Sequence, residues 1–256
     1  MPDDPSRRSD PAQPSSPDRD KTACGRLASA KSVLERVLGR RGEEHWGTAD
    51  YSEAQSREID ILEDWAKKDG CWLESPEWGV WDMSLGMGEH HVRQEQRRVF
   101  KATKKTRFGV YPSCSGRATG DPVDQLKLGK GTPHQYLMRL ELLNRWSASL
   151  DGMKDIEMNR LEGCMILDDQ FSIITSQPWF PHDELQTTVE DIAAWMARQG
   201  FQMITAGIWY HRGRNLALFD VKPSNMIRSG GHIIPIDVIP IEPLGRMKTI
   251  LEAVLS

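Results

Sequence analysis

No run of about 18 apolar residues, the least that carries a helix across a bilayer, occurs anywhere in the 256 residues, so no membrane span is predicted. Cysteine is scarce as well. The four present, Cys24, Cys71, Cys114 and Cys164, form no CxxC pair, which argues against a zinc cluster and against a dense disulfide framework. A reducing cytoplasm is the expected setting. Basic residues are outnumbered, 33 Lys and Arg against 37 Asp and Glu for a formal charge of -4. The chain therefore lacks the global positive surplus with which proteins hold nucleic acid. Residues 1–23 are rich in Pro, Asp and Ser and have little to bury, so they are expected to form a disordered tail. They also lack the apolar core of a secretory signal. No internal repeat is found.

What is there divides into three further segments. Residues 24–75 carry two amphipathic patterns and are expected to form a helical accessory segment. Leu27, Val33, Leu34, Val37 and Leu38 end at Gly39, and Ile59, Leu62 and Trp65 end at Gly70. From Val80 onward the period shifts toward strands. Gly109 to Gly131 reads as a long surface insertion. Pro133 then opens a helix with Tyr136, Leu137, Leu140 and Leu143 as its apolar stripe. Two strands near 161–167 and 171–175 and a helix over 189–198 follow. Leu216–Phe219, 225–227 and 233–236 make three short strand candidates around a Gly230-Gly231 turn, and a last amphipathic helix closes the chain.

Chemistry concentrates after the first of those strands. Asp220-Val221-Lys222-Pro223-Ser224-Asn225 places an acid, a cation and an amide in one polar loop, and Asp237 follows the apolar run Ile233, Ile234, Ile236. A strand, loop, hairpin and final acid bring carboxylate and amide oxygens to one sheet edge, where they suit a hard cation such as Mg2+. Upstream, Gly86-Met87-Gly88-Glu89-His90-His91 precedes Arg98-Val99-Phe100-Lys101-Ala102, a glycine turn followed by a strand bearing one lysine. Glycines let backbone N–H groups approach phosphates, and a strand lysine supplies a fixed charge. His90 and His91 are read as loop histidines near phosphate, since no partner is spaced to make them metal ligands. Trp65, Trp72, Trp78 and Trp81 are read as packing residues.

Asp220-x-Lys222-x-x-Asn225 with Asp237 resembles the catalytic loop and metal-binding acid of the protein-kinase fold. More closely, Gly88-Glu89-His90-His91-Val92, Arg98-Val99-Phe100-Lys101, Thr175-Ser176-Gln177-Pro178-Trp179-Phe180, Phe219 to Asn225 and Pro235-Ile236-Asp237 resemble the serine/threonine/tyrosine kinase-like domain of polyvalent proteins of phages and conjugative elements. The resemblance spans about residues 80–242. It implies an α+β fold of two lobes: an antiparallel N-lobe sheet with hinge over 76–181 and a reduced C-lobe over 182–256. ATP and Mg2+ are the implied cofactors. Asp220 is implied as the base toward a hydroxyl acceptor, Lys222 as the transferring-phosphate ligand, and Asn225 and Asp237 as the Mg2+ ligands. Gly86, Gly88, Glu89, His90, His91 and Lys101 would hold the nucleotide, with Glu141 pairing Lys101 and Ser176 and Gln177 in the hinge.

The pattern departs from signalling kinases in two places. Leu218-Phe219 stands where His-Arg is usual, and Val238-Ile239 replaces Phe-Gly after the metal acid. The stretch after Asp237 is also too short for an activation segment and a peptide-binding platform. The expected activity is γ-phosphoryl transfer to a hydroxyl acceptor, on a protein or a small molecule. A nucleotide-binding pseudokinase or adaptor, and a nucleotidyltransferase on the same fold, remain as alternatives.

Overall fold

A computed structural model of the chain describes residues 17–39, 48–74, 78, 81, 90–95, 97–104, 107–115, 120–150, 153–154 and 156–256. The expected glycine turn at Gly86, Gly88 and Glu89 and most of the expected tail, residues 1–16, lie outside them.

In chain order the elements are helices α1 (Pro17–Leu38) and α2 (Thr48–Lys68), strands β1 (His90–Glu95), β2 (Arg98–Thr103), β3 (Val110–Cys114) and β4 (Leu126–Lys130), then α3 (Pro133–Ser147). Next come β5 (Arg160–Leu167), β6 (Gln170–Pro178), α4 (Val189–Arg198), β7 (Gln202–Thr205), β8 (Ile208–His211), β9 (Leu216–Phe219), β10 (Met226–Ser229), β11 (His232–Pro235), β12 (Ile239–Ile241) and α5 (Gly245–Val254). Helices and antiparallel sheets mix without βαβ crossovers, which is the expected α+β class. Gly39 and Gly70 follow α1 and α2 with φ of 73° and 65°, a left-handed conformation that costs glycine little.

One sheet has the order β1-β2-β6-β5. Its register sets Lys101 between Val92 of β1 and Thr175 of β6, so the lysine stands on a central strand. Helix α3 crosses one face of this sheet: Tyr136, Leu137 and Leu140 share a buried cluster with Leu161, Phe171 and Ile173. Met165, Ala102 and Ile174 face the other way under Trp81 and the half-buried Trp78. Those two tryptophans cover the outer sheet face. Trp65 packs α2 into the α3 cluster instead, with Trp72 against its margin.

The accessory helices are part of the same core. Leu27, Ala30 and Leu34 of α1 and Leu62, Trp65 and Ala66 of α2 are buried with α3 and β5. Polar contacts add direction to that packing. Thr132 and Gln135 form a reciprocal cap at the start of α3, and the nearly inaccessible Glu58 (1% exposed) accepts the His134 backbone N–H at 2.8 Å. A carboxylate at a helix N-terminus answers both an orphan donor and the helix dipole. The Tyr51 hydroxyl donates to Gly131 O at 2.6 Å, and Arg26 donates to Glu162 O at 2.7 Å. α1 starts at Pro17, so the end of the expected tail is helical.

Residues Gly109 to Gly131 do more than cover surface. β3 and β4 pair antiparallel over five residues, and Tyr111 is buried with Tyr210, Phe219, Ile239 and Met247. This hairpin thus leaves the lysine-bearing half of the chain and packs on the second four-stranded sheet, of order β12-β9-β8-β7, together with α5. Arg246 of α5 donates to Gln125 at 2.6 Å and ties the same junction. A separate core joins α4, the end of α3 and the β10-β11 hairpin through Trp146, Ile192, Met196, Met226 and Ile234.

Glu58→Ala is expected to lower stability by about 1–3 kcal/mol, the usual cost of leaving a buried donor unmade. Urea unfolding measures it, with Glu58→Gln, which keeps an acceptor oxygen for the His134 N–H, recovering most of the loss.

Candidate functional site

Strand pairing builds the site's floor. β9 and β12 run antiparallel with Phe219 opposite Ile239, so Asp220 leaves one strand at the edge where Asp237 and Val238 enter the other. Between them the chain makes the β10-β11 hairpin, in which Met226 opposes Pro235. The Ile236 N–H donates to Asn225 O at 2.9 Å, which binds the polar loop to the residue just before Asp237.

Within the loop the three polar residues hold one another. Lys222 Nζ lies 2.8 Å from Asp220 Oδ1, and Asn225 Nδ2 donates to both Asp220 O and Asp220 Oδ2 at 2.8 Å. With its nitrogen engaged twice, the Asn225 amide has its orientation fixed, and Oδ1 accepts from the Ser224 hydroxyl at 3.3 Å. Asp220 has φ of 55°, the left-handed region that few non-glycine residues enter. Its carbonyl and carboxylate both serve as acceptors for Asn225 there. The Val221 N–H donates to Gly207 O at 3.1 Å and pins the loop to the β7-β8 turn.

The second wall arrives from the other sheet. Lys101 Nζ stands 3.6 Å from Asp237 Oδ1. The same oxygen lies 2.7 Å from an Arg139 guanidinium nitrogen, and that nitrogen also reaches Asp237 O at 3.3 Å. Arg139 is nearly buried, its side chain 5% exposed, while Asp237 keeps 39% of its side-chain surface. Partial burial would raise the Asp237 pKa, but the Lys101 and Arg139 charges outweigh it and hold the carboxyl below its ordinary value. Asp237 is the ionised centre of the cluster.

His90 lines the back of this cluster as a buried strand residue. It sits on β1, and its Nε2 lies 3.1 Å from the Tyr136 hydroxyl, which in turn lies 3.2 Å from Thr175 Oγ1. Burial, reinforced by the Lys101 and Arg139 charges, pushes its pKa down to about 3 against the opposing pull of Asp237. It is therefore a neutral imidazole. His91, also buried on β1, points to the opposite sheet face, since neighbours on a strand alternate.

The pair expected between Lys101 and Glu141 is not formed. Glu141 Oε2 binds Lys31 Nζ of α1 at 2.5 Å. Residues two apart on a helix point about 200° apart, so Arg139 and Glu141 occupy opposite faces of α3, and the face toward Lys101 carries the cation. Arg139 was not anticipated from the sequence. The signal was a single charge inside an apolar stripe, three residues after Tyr136 and four before Leu143.

Ser176 and Gln177 are strand residues rather than hinge residues. Ser176 lies between Phe100 of β2 and Arg160 of β5, and its hydroxyl accepts from Arg98 at 2.8 Å and donates to Glu162. That leaves Ser176 inside the sheet. Gln177, opposite Val99, is buried, and its Oε1 finds no hydrogen-bond partner among the described residues. The connection to α4 starts after Pro178, where β6 ends.

Because the unfolded chain protonates His90 below pH 6.5 and the folded chain resists until about 3, stability should fall on acidification through that window and be unaffected above it. Between pH 7 and pH 5 wild type should lose about 2 kcal/mol relative to His90→Gln, a difference read from denaturant midpoints at the two pH values.

No group of three or more His, Cys, Asp or Glu that could hold a metal is present among the described residues, and no described helix is long and apolar enough to cross a membrane. No curated protein and no solved structure matches the chain. A kinase-like, transferase role is the coarse function that a family match supports. Residues 157–241, which hold β5 to β12 with Asp220, Lys222, Asn225 and Asp237, match the model of the serine/threonine/tyrosine kinase found in polyvalent proteins, the family that the sequence resembles.

Proposed function

We propose that the protein is an ATP- and Mg2+-dependent phosphotransferase of reduced two-lobed, kinase-like form, moving the γ-phosphoryl group to a hydroxyl acceptor. The observation that carries this reading is the approach of Lys101 to Asp237, 3.6 Å apart although Lys101 stands on β2 and Asp237 lies between β11 and β12, in opposite halves of the chain. One triphosphate with its ion spans such a pair. The order β1-β2-β6-β5 with α3 against it supports an N-terminal lobe, and the loop and hairpin of Asp220 to Asp237 support the lobe that does the chemistry.

The donor set fits Mg2+. Asp237 has one oxygen engaged by cations, its Oδ2 accepts no hydrogen bond among the described residues, and Asn225 has its amide nitrogen turned to Asp220. Two oxygen ligands suit an ion that completes its shell with water and phosphate. Bound there, Mg2+ would supply neutralisation of the charge on the β and γ phosphates. Lys101 supplies a fixed positive charge to the phosphates. Asp220 orients the acceptor hydroxyl and takes its proton as the oxygen bonds to the γ-phosphorus and the bond to the departing diphosphate breaks. Lys222, 2.8 Å from the Asp220 carboxylate, places a cation beside the group in transfer. The acceptor is a protein or small-molecule hydroxyl.

Transfer of label from [γ-32P]ATP, to the protein itself or to a lysate, should be seen with Mg2+ and lost with EDTA. Asp237→Ala should abolish it. Asp220→Ala should lower the rate by about 10² to 10⁴ with nucleotide binding retained. Nucleotide binding without transfer would make the protein a pseudokinase, and label arriving from [α-32P]ATP instead would make it a nucleotidyltransferase.

A further inference from the structure

The α3 residue that meets the site is a cation, and this changes the site's charge. Lys101, Arg139 and Lys222 carry three positive charges against two negative ones on Asp220 and Asp237, a surplus of one. In the usual kinase arrangement the helix facing the strand lysine offers a glutamate, and a pair of Mg2+ ions neutralises the triphosphate. Exchanging that acid for an arginine shifts the local charge by two units, the charge of one divalent ion. Geometry leads to the same place. Bridging a pair of metals with one oxygen on each is closed to Asp237, whose Oδ1 already lies 2.7 Å from Arg139 and 3.6 Å from Lys101. One oxygen remains.

We propose that Arg139 stands in for a second metal ion, so that the site takes its nucleotide with a single divalent cation on Asp237 and Asn225. This rests on the nucleotide-binding reading above. Arg139 is a positioning residue: its guanidinium holds one Asp237 oxygen and the Asp237 carbonyl, and fixes which oxygen faces the ion. Three further features keep the guanidinium in place. Its side chain is almost wholly buried, Glu141 on the far face of α3 is anchored to Lys31, and the first turn of the helix is capped by Glu58. A cation held this way is part of the fold and is present before any nucleotide arrives.

The test counts ions. The full chain, in excess over a non-hydrolysable ATP analogue, is titrated with Mn2+, and bound Mn2+ is read by electron paramagnetic resonance while equilibrium dialysis of the labelled analogue reports nucleotide binding. Wild type is expected to hold one Mn2+ per bound nucleotide, Arg139→Lys one, and Arg139→Gln two, because the freed Oδ1 and the lost charge open the second position. Two Mn2+ per nucleotide in wild type overturns the proposal by itself, whether or not the Arg139→Gln protein folds. A single Mn2+ in a folded, nucleotide-bound Arg139→Gln also overturns it. Failure of wild type to retain the analogue at all removes the nucleotide reading and the proposal with it, a result told apart by the dialysis arm.

Discussion

The site is organised around one carboxylate. Asp237 is drawn by Lys101 from one sheet and by Arg139 from α3, and both attractions converge on a single oxygen. Burying an arginine without an acid partner would cost several kcal/mol in desolvation, so the Arg139 to Asp237 pair fixes where α3 lies relative to the β12 edge. The position of the β1-β2-β6-β5 sheet follows, because α3 lies across it through Tyr136, Leu137 and Leu140. Remove the carboxylate and two cations are left facing each other.

Helix α3 thus carries constraints on both of its faces. One presents Arg139 to Asp237, and the other gives Glu141 to Lys31 and rests on α1 and α2. The helix is fastened by chain that precedes the sheet, sharing a buried cluster with Leu27 and Leu34 of α1 and Leu62 and Trp65 of α2. Leu218 and Phe219, just before Asp220, are both buried in the second sheet.

Much of the fold was legible where a local rule acts without competition. Helices α1, α2, α3 and α4 appear where apolar residues recur at helical spacing and where glycine or a capping threonine marks an end. β9 falls on Leu216–Phe219 as read from the apolar run. The β7-β8 hairpin was missed because its four-residue strands, Gln202–Thr205 and Ile208–His211, are too short for alternation to stand out. The β3-β4 hairpin reads as surface in the sequence because Gly109 to Gly131 holds five glycines, two prolines and few apolar residues, and its burial depends on a partner sheet distant in sequence. The helix acid was assigned to Lys101 by analogy, and the rotation of α3 gave that face to Arg139.

Sequence alone determined which polar residues share one loop: Asp220, Lys222 and Asn225 at short spacing, after a buried apolar strand. Those follow from local order, since a loop of six residues holds its own members together. Only the tertiary structure decided which charge stands beside Asp237, that His90 is a buried neutral ring and Ser176 an interior strand residue. These depend on helix rotation and strand register, which are set by the sum of many distant apolar contacts and by no spacing along the chain.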